Sequence, residues 1–127
     1  PLHVQAKAWW EGLFGGAESI GLPWVVALGF VRLLTHPAVV ERPLVPAQAV
    51  EHIRAWLARP EVQILQPGPR HLDLLARAFA DAGVGANLTT DAHLAALAIE
   101  HQCELHSNDQ DFARFSGLRW KNPLCAA

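Results

Sequence analysis

The amino-acid sequence predicts an α/β protein with a central parallel sheet and helices on both faces. Short apolar runs alternate with longer amphipathic ones along the 127 residues, and strands separated by helices are typical of parallel sheets. In the stretch Asn87–Phe115, a helix, a short strand and the start of a second helix follow one another. Acidic residues open both helices, so they can lie at one end of the sheet, where open α/β sheets bind ligands.

Length and composition describe one globular domain, residues 1–127, which is large enough to bury a core. The hydrophobic fraction of 51% is ordinary and the charged fraction of 17% is low. A net charge of −2 excludes a strongly basic nucleic-acid-binding surface, so any RNA contact must use local Arg or Lys side chains. The two cysteines form neither a disulfide framework nor a zinc pattern, which fits a cytoplasmic protein. No apolar run reaches the ~18 residues of a membrane span.

The N-terminal half is predicted to contain three helices and two strands. Leu2–Leu13 and Ala47–Ala58 place their apolar residues on one side, as amphipathic helices do. Glu18–Pro23 and Val62–Leu65 are short runs that predict strands. Trp24–Leu34 is apolar on nearly every side, which indicates burial in the core or in a subunit interface. The five tryptophans allow both interpretations, a Trp-rich core or an apolar surface for a partner.

The C-terminal half continues the alternation. His71–Ala82 predicts an amphipathic helix, and Leu94–Ile99 gives the next helix a broad apolar face that should be buried. Cys103–His106 is a short strand-like run. Asn108–Phe115 is expected to form the final helix, and Leu118–Trp120 a last edge strand.

Three aspartates open the two helices of the organising stretch: Asp91, Asp109 and Asp111. They could simply cap the helices, because Asp complements free amides and the helix dipole, and Ser107 with Gln110 fits a capping box. Alternatively they surround a cation, because gathered carboxylates otherwise repel one another. Oxygen ligands without thiolate or imidazole select Mg²⁺ or Mn²⁺, ions suited to phosphodiester cleavage. The neutral oxygen donors nearby are Asn87, Thr90, Ser107 and Asn108.

Other catalytic patterns are missing from the sequence. It contains no G-x-G-x-x-G loop, P-loop or nucleophile elbow. No two histidines have the i, i+4 spacing of a zinc site. His93 is two residues from Asp91 on the same helix and should point elsewhere, and His71 is expected at the surface.

The strings NLTTDAHLAALAIEH (Asn87–His101) and SNDQDFARFSGLRWKNPL (Ser107–Leu124) resemble the C-terminal half of PIN-domain ribonucleases. The resemblance is strongest to the VapC-type toxins of bacterial type II toxin–antitoxin systems. It extends upstream through Gly21–Pro37 and Leu57–His71 and so covers nearly the whole chain. It implies a PIN-like three-layer fold, with a parallel sheet between two layers of helices.

The resemblance also implies an activity. Proteins of this family gather acidic residues that hold Mg²⁺ or Mn²⁺, and they hydrolyse RNA with an activated water. Asp91, Asp109 and Asp111 match the catalytic acids, and Asp91 and Asp109 would bind the metal. The expected supporting residues are Ser107, Asn87 and Thr90. Arg114 and Arg119 bracket the acidic residues and are candidates for RNA contact. A structured RNA (tRNA or ribosomal RNA) as substrate, a cognate antitoxin and a homodimer are implied as partners.

Two departures from the family pattern leave an alternative open. The family's first acid lies on an N-terminal strand, and the chain contains no Met, so we expect a first β-strand to be missing ahead of Pro1. The second acid would fall near Gly29, and Glu18 is too far upstream to replace it. We therefore expect weak metal binding and poor RNA cleavage, and the alternative is a non-catalytic PIN-fold module that binds RNA or protein. Two interpretations stay open for Trp24, Phe30 and Leu34: they lie in the core, or they line a dimer or antitoxin surface.

Overall fold

The structure is a computed structural model that describes residues 18–83 and 88–124. The expected helix Leu2–Leu13 and the candidate donor Asn87 lie outside the described residues. The described chain divides into two compact units, residues 18–66 and the residues from 67 onward. Each unit contains two helices and one parallel pair of strands.

The first unit is built on the parallel pair β1 and β2. Ile20 lies opposite Val62, and a Cβ added to Gly21 would lie 2.6 Å from the Leu65 Cδ1 atom, so a larger residue at this close approach would require the Leu65 side chain to move. The helices follow the apolar pattern of the sequence, and both begin next to a proline, which favours the first turn. The elements are β1 (Ile20–Pro23), α1 (Trp24–Leu34), α2 (Pro46–Leu57) and β2 (Val62–Leu65).

Helix α1 is not buried on all sides. Ala27 is its buried residue, whereas Trp24, Leu28 and Leu33 keep 49%, 62% and 52% of their surface exposed. Phe30 is half-buried against Trp56 of α2, with the ring centroids 4.5 Å apart. An eleven-residue helix that packs against one neighbour covers only the stripe facing it. The expectation of complete burial in the core is therefore wrong, and a subunit interface stays a prediction.

The second unit contains two helices, a parallel strand pair and a 3₁₀ helix. Its core cluster joins alanines of both helices to Leu88 and to two phenylalanines, Phe112 and Phe115. Small alanine side chains let the helices approach closely, and the aromatic rings fill the remaining space. The elements are α3 (His71–Ala82), α4 (Thr89–Glu100), β3 (Leu105–His106), the 3₁₀ helix (Gln110–Arg114) and β4 (Trp120–Lys121).

The expected α/β class with parallel strands is confirmed. In the described residues the strands pair two by two, β1 with β2 and β3 with β4. The predicted helix over Asn108–Phe115 is a shorter 3₁₀ helix instead, because Phe112 and Phe115 are both buried and their spacing of three matches three residues per turn. The predicted strand starts at Leu105 and not at Cys103, whose N–H still donates to Ala98 O of α4.

Candidate metal centre

The apolar core of the second unit places two acidic segments side by side. Asp91 lies in the first turn of α4, next to the fully buried Ala92. Asp111 precedes Phe112, which belongs to the same core cluster as Ala92. Because neighbours of buried residues in short helices lie at the edge of the packed face, both carboxylates come to the rim of this cluster.

The acidic turn, residues 107–111, is shaped by its own side chains. The Asp109 N–H donates to Ser107 Oγ at 3.1 Å, and the Asp111 N–H donates to Asp109 Oδ1 at 2.9 Å. Asp109 is thus the N-cap of the 3₁₀ helix. The capping role considered for this aspartate is confirmed, although the bond comes from Asp111 and the predicted Ser107–Gln110 box is replaced. A cap occupies one carboxylate oxygen, so the same residue can also face an ion.

Asp91, Asp109 and Asp111 offer one carboxylate oxygen each within 4.8 Å of one another. Ligands on opposite sides of a Mg²⁺ ion lie about 4.2 Å apart, so small side-chain rotations would bring these oxygens onto one ion. Asp91 and Asp111 are half-buried and Asp109 is exposed. Three hard oxygen donors at the surface fit Mg²⁺ or Mn²⁺ better than a softer transition metal.

The carboxylates repel one another in the absence of a cation. The pKa of Asp91 is raised above its ordinary value, chiefly because partial burial penalises the charged form and also because Asp109 and Asp111 are negative and close. A divalent cation would remove this repulsion. The electrostatics of the cluster therefore fit an ion, as its donor chemistry does.

The remaining predicted site residues lie at different distances from this cluster. Thr90 precedes Asp91 and is exposed. The Arg114 Nε atom is 3.5 Å from Asp111 Oδ1, so its guanidinium lies beside the site. Arg119 donates from Nη2 to Gln102 O at 2.6 Å, which directs it toward the end of α4.

Known proteins match this chain over nearly its whole length. The family model described as PIN domain matches residues 1–118. The chain belongs to the PIN domain family. It is 44% identical to Ribonuclease VapC33 of Mycobacterium tuberculosis (strain CDC 1551 / Oshkosh) over 124 residues, which are 98% of this chain and 87% of that protein.

Two further relatives cover similar shares. Ribonuclease VapC37 of Mycobacterium tuberculosis (strain ATCC 25618 / H37Rv) is 45% identical over 121 residues, or 95% of this chain and 84% of the relative. VapC ribonuclease Mb2897 of Mycobacterium bovis (strain ATCC BAA-935 / AF2122/97) is 38% identical over 122 residues, or 96% and 83%. The resemblance inferred from the motifs is confirmed.

The second acid of the PIN pattern is missing from this chain. Gly29, near which the resemblance places a glutamate, lies in α1 of the first unit, and a Cβ there would meet no atom of the described residues within 4 Å. Among the described residues, nothing opposes a longer side chain at Gly29, but glycine itself supplies no ligand. Among the described helices, none is both long and apolar enough to cross a membrane.

A contact between the buried His71 and the half-buried His93 of this PIN domain was not expected from the sequence. His71, the first residue of α3, is 8% exposed, and its Nε2 atom lies 2.9 Å from Nδ1 of His93 on α4. The pKa of His93 is lowered by burial and by His71. The expectation of a surface position for His71 is wrong, because α3 and α4 pack face to face. The expectation that His93 points away from the aspartates is consistent with this contact.

Glu100, at the end of α4, binds the loop before α3 through hydrogen bonds to its backbone. Its carboxylate accepts hydrogen bonds from the Gly68 N–H at 2.8 Å and the Arg70 N–H at 2.9 Å. The Gly68 bond is the largest cause of the lowered pKa of Glu100. These partners are about thirty residues apart in the chain, so no local pattern in the sequence could reveal them. The contact fixes α4, and hence Asp91, relative to α3.

Proposed function

We propose that this PIN domain is a metal-dependent endoribonuclease, the toxin of a type II toxin–antitoxin pair. The observation that supports it best is the meeting of three carboxylates within 4.8 Å in a member of the PIN family. Relatives 44% and 45% identical to the chain are named ribonucleases. We further propose that residues 1–127 act as a single PIN-like domain.

In this proposal Asp91 and Asp109 hold Mg²⁺ or Mn²⁺, and Asp111 completes the catalytic group. A bound ion of this kind lowers the pKa of a water ligand and neutralises charge on the leaving oxygen. Ser107 keeps Asp109 in place through the hydrogen bond from the Asp109 N–H to Ser107 Oγ. Because the pKa of Asp91 is raised, protons compete with the metal for this cluster as the pH falls.

The RNA is proposed to be structured, either tRNA or ribosomal RNA, and to be met in the cytoplasm. With a net charge of −2, the chain must bind phosphates through local cations. Arg114 is the better placed of the two candidates, since it is 53% exposed and already lies against Asp111. Arg119 would have to leave the Gln102 carbonyl. A cognate antitoxin that covers the acidic cluster and a homodimer complete the proposal, with Trp24 on the exposed side of α1 as a candidate interface residue.

The test is cleavage of purified tRNA and ribosomal RNA with Mn²⁺ and with EDTA. We expect weak but Mn²⁺-dependent cleavage by the parent protein and a loss of at least about 100-fold in Asp109→Asn, because several kcal/mol of charge stabilisation disappear. Asp73→Asn is the matched control. Asp73 is also an aspartate in the first turn of a helix, α3, but it is exposed and outside the cluster. Cleavage that survives Asp109→Asn would disprove the nuclease site.

The alternative is a non-catalytic PIN module that binds RNA or protein. The specific observation in its favour is that α1 carries no carboxylate near Gly29, where the resemblance implies one. A parent protein that retains tRNA in a binding assay but cleaves no RNA at saturating Mn²⁺ would support this alternative over the nuclease.

A further inference from the structure

The backbone of Ser107, at the start of the acidic turn, is held on both sides by β4. Its N–H donates to Lys121 O at 3.1 Å. Its carbonyl oxygen accepts a hydrogen bond from the Trp120 indole Nε1–H at 2.9 Å. One residue along, Asn122 Nδ2 donates to Asn108 Oδ1 at 2.9 Å. We call Trp120–Asn122 the C-terminal clamp.

Hydrogen bonds of Ser107, Asn108 and Asp109 connect the clamp to the carboxylates. Ser107 Oγ accepts from the Asp109 N–H, and Asp109 Oδ1 accepts from the Asp111 N–H. A shift of Ser107 would therefore change the direction of both downstream carboxylates. Asn108 lies between Ser107 and Asp109 in the chain, so its bond to Asn122 limits rotation of the same segment.

The acidic turn has little burial of its own. Asn108 and Asp109 are exposed, and Ser107 is only half-buried. Trp120, by contrast, packs against the core cluster that contains Phe112 and Phe115. A tryptophan anchored by its rings presents its N–H at a defined place. The indole N–H of Trp120 thus links the packed core to the exposed turn by a hydrogen bond.

We propose that Trp120 and Asn122 are positioning residues for the metal-binding carboxylates of Asp109 and Asp111. They touch neither the ion nor the RNA and act through Ser107 and Asn108. Both lie beyond residue 118, where the match to the PIN family model ends. The metal part of this inference rests on the proposed function, and the geometry of the clamp does not.

The deciding variant is Trp120→Phe, which keeps one aromatic ring in the core and removes the indole N–H donor together with the second ring. We expect its dissociation constant for Mn²⁺, measured by electron paramagnetic resonance, to rise about tenfold, as losses of groups that orient metal ligands do. The matched control is Thr35→Val. Thr35 Oγ1 also donates to a backbone carbonyl, Val31 O at 2.8 Å, but it lies in the other unit. Its Mn²⁺ affinity should equal that of the parent.

A double-mutant cycle tests the second contact. We expect Asn108→Ala and Asn122→Ala each to weaken Mn²⁺ binding several-fold, and the double variant to be no weaker than the worse single one, because both remove the same hydrogen bond. The Asn122→Ala change also removes the bond from the Leu124 N–H to Asn122 Oδ1, which the cycle cancels. Fully multiplicative losses would show that the contact plays no part.

Amide hydrogen exchange in the metal-free protein separates the clamp from the metal proposal. In Trp120→Phe, the Asp109 and Asp111 amides should exchange about tenfold faster, while helix α3 amides keep their parent rates. If the parent binds Mn²⁺ and Trp120→Phe binds it equally well, the positioning role is refuted and the nuclease proposal stands. If the parent binds no Mn²⁺, the metal proposal and the metal-positioning role both fail, and the exchange rates decide whether the clamp orders the turn. Uniformly faster exchange together with unchanged affinity would reduce Trp120 to a general stabiliser and overturn the inference.

Discussion

Replacing Asp91 by Asn is expected to stabilise the metal-free protein and to destabilise it relative to the parent once Mn²⁺ is present. Each pair of carboxylate oxygens in the cluster lies within 4.8 Å. Two unit charges at that distance repel by about 0.9 kcal/mol in water and by about 3.5 kcal/mol at an effective dielectric constant near 20. Asp91 is only half-buried, so the lower figure applies to each of its two neighbours.

Asn also loses a favourable interaction. A negative side chain in the first turn of a helix contributes about 0.5 kcal/mol through the helix dipole. The net expectation for Asp91→Asn in EDTA is a gain of about 1 kcal/mol in the free energy of unfolding, or a melting temperature higher by about 3 °C. In the parent, Mn²⁺ at 100 times its dissociation constant would add about 2.7 kcal/mol, and the variant would gain little. The order of the two melting temperatures should therefore reverse.

The pH dependence has a defined sign. Because the pKa of Asp91 is raised in the folded protein, the charged parent is penalised above that pKa. The penalty disappears when the pH falls below the unfolded value of about 4. The advantage of Asp91→Asn in EDTA is thus present at pH 7 and lost in acid.

The assay is calorimetric or fluorescence-detected melting with EDTA and with Mn²⁺ at pH 7, and with EDTA at pH 3. Asp73→Asn serves as the control, since Asp73 has the same place in the first turn of α3 but lies outside the acidic cluster found among the described residues. It should be slightly less stable than the parent with and without metal. The electrostatic reasoning is refuted if Asp91→Asn melts below the parent in EDTA, or if Mn²⁺ raises both melting temperatures equally.

Two further predictions concern the frame around the site. Leu97 is 1% exposed, so Leu97→Ala should lower the free energy of unfolding, measured in urea, by about 3 kcal/mol. Leu72 is 76% exposed, and Leu72→Ala should change this free energy by less than about 0.5 kcal/mol. Equal effects of the two substitutions would contradict the packing of α4. Glu100 has a lowered pKa in the folded protein, so its stabilisation is present above its ordinary pKa and lost as the pH falls through the folded value. The melting temperature of the parent should consequently drop more between pH 7 and pH 3 than that of Glu100→Gln, and parallel curves would argue against this role.

Local patterns in the sequence predict most of the elements. The bounds of α1, α3 and β2 follow from apolar runs that end at proline or glycine, and the structure has them where they were predicted. The 3₁₀ helix differs, because its length depends on where Phe112 and Phe115 find space in the core. Side-chain periodicity reports which face is apolar, and it does not report how much of that face a neighbour will cover. The exposed Trp24 and Leu28 of α1 show the difference.

By itself, the sequence determined the α/β class, the order of the elements and the choice of three aspartates as candidate ligands. Helix starts, strand runs and family motifs each depend on residues that are close together in the chain. Only the tertiary structure decided that Asp91 meets Asp109 and Asp111 within 4.8 Å, that His71 is buried against His93, and that the Trp120 indole donates to the Ser107 carbonyl. The physical reason is that these contacts join residues 13 to 22 positions apart. Their meeting depends on how two helices and a pair of phenylalanines pack, and not on any local preference of the chain.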